Sequence, residues 1–470
     1  MAMTEERTTP TPPRLDGRMR LVLVVLLVAQ FMLAVDFSIL NVALPVIGEG
    51  LGFSLSGIQW IATSFALAAA GFTLLFGRVA DLFGRRRLFL GGLAVLGLSS
   101  LAGGLATTPE VLLTARVLQG LATAAVTPAG LSLLTTSFPE GPLRQKALGL
   151  NGALMSAGFT TGAVLGGLLT DLLSWRWAFF VNVPVALAVL LVAPAVITES
   201  RPPVRPRLDL PGAVSVTLGL LALVYGMTLA GEHGWGHAPA LLWLGAGVVL
   251  LAVFRAVESR ASSPLVPLSV LRRRTVAWGN AIGLIAFLTE TSLVFLMTVY
   301  LQEVLGRSPL ATGLSFSVLG LGTVLGGVLA PRVIAAGSTR RTLVAGGTLQ
   351  AAATLALVGL GTDGASLTSL WLLPVATFAG GVGNMLVIVG FMVTATTGLP
   401  DREQGLATGL ATMTQQVGIT LGTPIMSAVA ASRADVMDGI TTAVLVNAGL
   451  VLAGVLAAAR FLGQRTPSGG

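Results

Sequence analysis

The chain has 470 residues, of which 54% are hydrophobic and only 10% charged, with a formal net charge of +8. A soluble domain carries about 25% charged residues because its surface must face water, so this composition excludes an ordinary soluble globule. The absence of cysteine excludes disulfides, thiol catalysis and cysteine metal sites, and two histidines without clustered carboxylates leave little material for a metal centre.

The N-terminus, MAMTEERTTPTPPRLDGRMR, is polar and proline-rich and reads as a disordered cytoplasmic tail over residues 1–18. It lacks the features of a secretory signal, so the first apolar segment is expected to persist in the mature protein. Apolar segments follow near 20–47, 57–77, 88–106, 110–136, 146–172, 176–197, 209–230, 239–257, 276–302, 311–333, 342–361, 367–396, 404–430 and 440–462. Each approaches the roughly 20 residues that a helix needs to cross a hydrocarbon core of about 30 Å. Backbone amides in lipid must be satisfied internally, so such blocks predict helices. The ten-residue alternation of a membrane β-barrel is absent. The fold class is therefore an all-α integral membrane protein with fourteen spans.

A pI near 11.3 in a soluble chain would point to nucleic acid. Here the positive charges gather at segment ends instead, which is the pattern that orients helices in a membrane. A cytoplasmic N-terminus puts 24 of the 28 basic residues on the inner side. Only Arg176, Arg307 and Arg433 fall in outer loops, and Arg116 lies within a segment. One missed helix would invert every later loop, so the asymmetry predicts that both termini are cytoplasmic.

Two stretches echo each other. GRVADLFGRRRLFLGG (77–92) joins the second and third segments, and APRVIAAGSTRRTLVAGG (330–347) joins the tenth and eleventh. The pattern predicts two six-helix halves, 19–197 and 276–462, related by pseudo-symmetry. Between them, 198–275 forms a linker carrying an extra helix pair (209–257), and 463–470 forms a cytoplasmic tail.

Ionisable groups inside a membrane are costly and are functional candidates by default. Three lie well inside a predicted span: Asp36, Arg116 and Glu290. At about 1.5 Å of rise per residue, Asp36 lies roughly 24 Å beyond Arg20, and Glu290 roughly 24 Å beyond Arg274. Arg116 lies roughly 9 Å below the outer surface. All three share a level in the outer half of the core, and symmetry would set Asp36 and Glu290 on opposite walls of one cavity. Burial favours a neutral carboxyl, whereas a neighbouring guanidinium favours the ionised form. A carboxyl whose partner changes as the halves rock could thus load and release a proton. Asp36 and Glu290 are the expected carriers of protons or cationic substrate, with Arg116 tuning one of them. A static Asp36–Arg116 packing pair is the alternative.

Other residues form groups with weaker signals. Gly77, Asp81, Gly84, Arg85, Arg86 and Arg87 read as a tight turn with a charge latch at the cytoplasmic face. Gly158, Gly162, Gly166 and Gly167 lie on one helix face, where small residues let backbones approach closely. Simple packing or a seal between the two halves would each use them. Trp60, Gln119, Asn280, Tyr300 and Asn384 are candidates for lining a mixed apolar and polar substrate cavity. His233 and His237 flank a Gly-Trp-Gly loop and read as non-ligating. No phosphate-binding glycine loop appears, so direct ATP drive is not expected.

These motifs together resemble the major facilitator superfamily, and within it the fourteen-helix drug:proton antiporter branch. DFSILNVALP (36–45) is similar to that branch's first-helix motif, with Ser38 where threonine is usual. Gly77–Arg87 resembles the superfamily's 2–3 loop motif, and RVLQG (116–120) the fourth-helix motif associated with proton transfer. Gly158–Gly167 resembles the antiporter motif of helix 5, with Ala163 where proline is usual. WRWAFFVNVP (175–184) and YLQEVLGRSPLATGL (300–314) are further matches. The resemblance implies export of lipophilic or cationic compounds across a bacterial cytoplasmic membrane by alternating access. It implies a proton gradient as the energy source, no cofactor, no nucleic-acid partner and a monomer. An exporter of an endogenous metabolite or lipid and an uptake symporter remain alternatives. An intramembrane enzyme would need a cluster of acids, bases or metal ligands at one membrane face, and the sequence has none.

Overall fold

The computed structural model describes residues 16–53, 58–138, 142–199, 209–261, 270, 272–362, 367–396 and 401–461. All fourteen apolar segments are helical, and no strand occurs among the described residues. In chain order they are α1 (Gly17–Leu51), α2 (Gln59–Phe83), α3 (Arg85–Gly104), α4 (Pro109–Ser137), α5 (Pro142–Leu172) and α6 (Trp177–Val196). Then come α7 (Leu210–His233), α8 (Ala238–Glu258), α9 (Arg274–Val299), α10 (Pro309–Ala336), α11 (Thr339–Ala356), α12 (Leu367–Thr396), α13 (Asp401–Ala430) and α14 (Val436–Phe461). A π-helical turn, Tyr300–Val304, extends α9. Among the described residues twelve spans are long and apolar enough to cross a membrane, and α2 and α13 fall short of that test.

The helix starts follow local chemistry. Asp16, Ser308 and Ser338 accept hydrogen bonds from the amides of Met19, Ala311 and Arg341, satisfying donors that a first helical turn leaves free. Between α2 and α3 the chain turns on Gly84 alone, whose φ of +111° favours a residue without a Cβ. Gly77 does not serve this turn: it lies inside α2, which runs unbroken to Phe83.

Helix pairings among α1–α6 recur among α9–α14. α1 packs on α5 as α9 does on α13; α2 packs on α4 as α10 does on α12; α3 packs on α6 as α11 does on α14. The two sets meet along α5–α10 and α2–α13. The central pair α7–α8 packs on itself, and α7 covers α2 and α13. Leu242, Val248 and Val249 on α8 stay 61–73% exposed, as apolar side chains facing lipid would.

Candidate functional site

Asp36, in the middle of α1, is fully buried among α3, α4 and α6. Its Oδ1 accepts hydrogen bonds from Asn182 Nδ2 and from Gln119 Nε2, the latter at 3.1 Å. Gln119 also donates to Ser100 Oγ at 2.9 Å and accepts from the Arg116 guanidinium at 2.9 Å. An arginine cannot accept, so this contact fixes which end of the Gln119 amide faces Asp36. Arg116 further donates to the Ile61 carbonyl at 3.0 Å, and its guanidinium lies 4.2 Å from the centre of the Phe65 ring. Its closest approach to Asp36 is 3.7 Å, at Oδ2, which accepts no hydrogen bond.

Asp36, Ser100, Arg116, Gln119 and Asn182 are each 0–1% exposed. Two opposite charges inside an apolar bundle persist only because each is paired and hydrogen-bonded, and loss of one partner from such a pair costs about 3–5 kcal/mol. Sequence reasoning found Asp36, Arg116 and Gln119 but missed Ser100 and Asn182. The signal for Asn182 lay in WRWAFFVNVP, whose Val-Asn step returns as Val446-Asn447 in α14.

The corresponding place among the last six helices is polar but neutral. Asn447 on α14 donates to the Thr289 carbonyl at 3.0 Å and to Ser292 Oγ at 2.9 Å. Gln350 on α11 donates to Thr289 Oγ1 at 3.2 Å. Thr289 and Ser292, rather than Glu290, therefore take the part that Asp36 plays in the first set. Glu290 is partly exposed and has no hydrogen-bond or ion-pair partner among the described residues.

Several expectations are corrected by this arrangement. Asp36 is enclosed within α1–α6 and does not share a cavity wall with Glu290; its helix face is held there by Asn182 and Gln119. Arg116 meets Asp36 alone of the two acids. The five cavity candidates are dispersed over separate contacts and do not line one cavity. Trp60 packs against Tyr225 of α7 at 5.6 Å between ring centres. Gln119 belongs to the Asp36 cluster, and Asn280 joins Thr414 at 2.7 Å. Tyr300 is fully buried and donates to the Gly361 carbonyl at 2.8 Å. Asn384 donates to the Ala286 carbonyl at 3.1 Å.

The glycine ladder divides as well. Gly158, Gly162 and Gly166 face α1 within the first set, against Phe31, Val35, Ser38 and Ile39. Only Gly167 faces the second set, against Pro309 and Leu310 of α10. Next to it, a Cβ on Gly313 would stand 2.8 Å from the Ala163 carbonyl. At the 2–3 turn the Asp81 side chain lies outside the described residues. The carboxylate that meets the start of α3 belongs to Glu199, which accepts from the amides of Arg86 and Arg87 at 3.1 and 3.3 Å. A carboxylate at a helix N-terminus offsets the positive end of the helix dipole.

Known proteins share both sequence and architecture with this chain. It is 38% identical over 422 residues to a cephamycin export protein of Amycolatopsis lactamdurans, covering 87% of this chain and 85% of that one. It is 39% identical over 422 residues to a puromycin resistance protein of Streptomyces alboniger, covering 89% and 82%. A lincomycin resistance protein of Streptomyces lincolnensis is 34% identical over 401 residues, covering 84% and 81%. The crystal structure of the human organic anion transporter MFSD10 superposes with a TM-score of 0.64 at 18% identity, over 94% of this chain and 100% of that one. That likeness is one of fold. The sequence profile of the Major Facilitator Superfamily matches residues 26–423, and the chain belongs to that superfamily.

Proposed function

We propose that this protein is a multi-pass exporter of the bacterial cytoplasmic membrane that expels small lipophilic or cationic molecules, antibiotics among them, in exchange for protons. Relatives named for cephamycin export and for puromycin and lincomycin resistance support the substrate class. The observation that carries proton coupling is the buried Asp36–Gln119–Arg116 network.

The network offers a route from protonation to movement. A proton on the unbonded Oδ2 of Asp36 removes the counter-charge of Arg116, which must then find other partners. Arg116 holds α2 through the Ile61 carbonyl and Phe65. One turn further along α2, the Ala66 carbonyl accepts from Thr420 of α13, 3.4 Å away. A change at Asp36 is thereby passed to a seam between the two sets of helices.

The repeated pairings support two six-helix halves with α7–α8 as an added pair. The charge asymmetry supports fourteen spans with both termini inside, α2 and α13 included, since each packs among helices that do qualify. In that topology Gln302–Val42, Asp171–Leu310 and Gly167–Pro309 join the halves near the outer side. This conformation is then closed outward. A monomer suffices for the scheme, and no cofactor enters it. The test is proton release from energised everted vesicles on addition of compounds from a toxic panel. Release that depends on compound and vanishes in Asp36→Asn sustains the reading; flux unchanged in that variant removes Asp36 from it.

A further inference from the structure

Three phenylalanines stand in a row behind the Asp36 network. Phe65 on α2 lies 5.8 Å from Phe37 on α1, ring centre to ring centre, with the planes at 59°. Phe37 lies 6.0 Å from Phe159 on α5, at 31°. Both separations fall in the range where aromatic rings attract each other beyond burial alone. The row has two different ends. At one, the Arg116 guanidinium sits over the Phe65 face, 4.2 Å from its centre. At the other, Phe159 packs on the buried cluster of Val42, Ala163, Leu288 and Phe316, where the two sets of helices meet. Phe37 follows Asp36 in the chain, and Phe65 is 1% exposed.

Backbone packing holds the Phe65 ring in place. Gly120, one turn after Arg116 on α4, leaves room for the Phe65 carbonyl, which a Cβ there would strike. A cation over an aromatic face is attracted by the negative potential of the ring, and more strongly where water is absent. With Asp36 ionised, the carboxylate 3.7 Å away shares in neutralising Arg116. Once Asp36 takes a proton, the Arg116 charge is left with neutral partners: the Ile61 carbonyl, the Gln119 amide oxygen and the Phe65 face. The ring therefore stabilises the protonated state more than the ionised one. Among the described residues, Asp36 and Arg116 are the charged groups that meet in this arrangement. The other charges of the surrounding helices stand near helix ends: Arg18, Arg20 and Glu49 on α1, Arg78 and Asp81 on α2, and the three arginines that open α3. Glu110 on α4, Arg144, Lys146 and Asp171 on α5, and Arg176 before α6 do the same, while Glu290 is on α9 of the second set.

We propose that Phe65 is a positioning residue of the Asp36 site: its ring face holds the Arg116 charge while Asp36 is protonated, and through Phe37 and Phe159 it carries that state to the seam between the two sets. The proposal rests on the reading of Asp36 as the proton carrier, and adds the group that lowers the cost of protonating it. Phe65 acts through Arg116 and touches no ligand in this role. Its neighbour on α2, Ala66, accepts from Thr420 of α13, so one event reaches the seam at two places.

The test replaces Phe65 with 4-fluoro-, 3,5-difluoro- and pentafluoro-phenylalanine in the purified full chain in nanodiscs. Fluorine drains the negative potential from the ring face and changes the ring's size little, so it separates the electrostatic role from packing. Infrared titration follows the C=O band of protonated Asp36, assigned by its absence in Asp36→Asn. The midpoint is expected to move stepwise to lower pH with added fluorine, by at least about half a pH unit for the pentafluoro ring. Phe65→Leu should move it in the same direction. Phe37→Leu should leave the midpoint in place, since Phe37 is one ring removed from Arg116, and should slow compound-dependent proton release in vesicles. A midpoint indifferent to fluorination, or shifted as far by Phe37→Leu as by Phe65→Leu, would overturn the role of Phe65 and leave Asp36 as the carrier. Undiminished proton release in Phe37→Leu would overturn the relay. A wild type without a titrating band removes the coupling reading and this proposal together. A stepwise midpoint without compound-dependent proton release would sink the exporter reading and leave Phe65 in its role.

Discussion

Gln119 stands between Arg116 and Asp36, accepting from the guanidinium at 2.9 Å and donating to the carboxylate at 3.1 Å. The two charges stay 3.7 Å apart, so the pair is relayed through an amide rather than closed directly. A direct bidentate Arg–carboxylate pair is geometrically specific and strong. A relayed pair leaves Asp36 Oδ2 open to a proton while keeping the arginine neutralised.

Asp36→Asn keeps the shape of the side chain but removes the counter-charge of a buried arginine. Stability should fall by about 3–5 kcal/mol, the cost of breaking a buried pair from one side. The double variant Asp36→Asn with Arg116→Met should recover part of that loss without restoring proton release. Thermal unfolding in detergent and vesicle proton flux measure the two effects separately. A double variant that transports normally would contradict the coupling role.

Gln119→Leu leaves Ser100, Asp36 and Arg116 each short of a partner. An unsatisfied buried polar group costs about 1–3 kcal/mol, so the variant should unfold at a clearly lower temperature than wild type. Transport is expected to drop more than Ser100→Ala makes it drop, because Ser100 touches neither charge. Equal effects of the two substitutions would show that Gln119 is packing alone.

The divided glycine ladder gives opposite expectations for neighbouring positions. A Cβ at Gly162 would stand 2.6 Å from the Val35 carbonyl, so Gly162→Val should prevent α1 and α5 from packing and reduce folded yield severely. Gly167→Ala presses instead on Pro309 across the seam between the two sets. A Cβ there would stand 2.4 Å from the Pro309 carbonyl, so the seam must part: thermal stability should fall less than in Gly162→Val, and the outer side should open. The chain has no cysteine, so a cysteine placed at Phe159, which packs on the buried cluster of Val42, Ala163, Leu288 and Phe316 where the two sets meet, can be labelled on its own. Faster labelling from outside in Gly167→Ala than in the parent is the expected result.

Glu199→Ala removes the carboxylate from the start of α3. Caps and dipole partners of this kind contribute about 1 kcal/mol, so a small decrease in melting temperature is expected, with Glu199→Asp in between. An unchanged melting temperature in Glu199→Ala would mean that the contact adds nothing to stability.

Much of the architecture was legible in the sequence because lipid imposes a strict rule. A span must be long, apolar and helical, and positive charge must gather on one side. The three ionisable positions stood out because charge within an apolar run is rare. Ser100 and Asn182 did not, since neutral polar side chains are ordinary in such runs and mean nothing until a partner is known. The bond from Asn182 to Asp36 spans 146 positions, and no periodicity encodes it. Glu199 was hidden for the same reason, lying 112 and 113 positions from the amides it meets.

By itself, then, the sequence determined that the chain is helical, where its helices run, that the first and last six echo each other, and that Asp36, Arg116 and Glu290 are the charges the membrane must accommodate. Only the tertiary structure decided which of them pair. Helix rotation and neighbour choice depend on side-chain fit across the bundle, and that fit turned Asp36 inward to Asn182 and Gln119 while leaving Glu290 without a partner among the described residues.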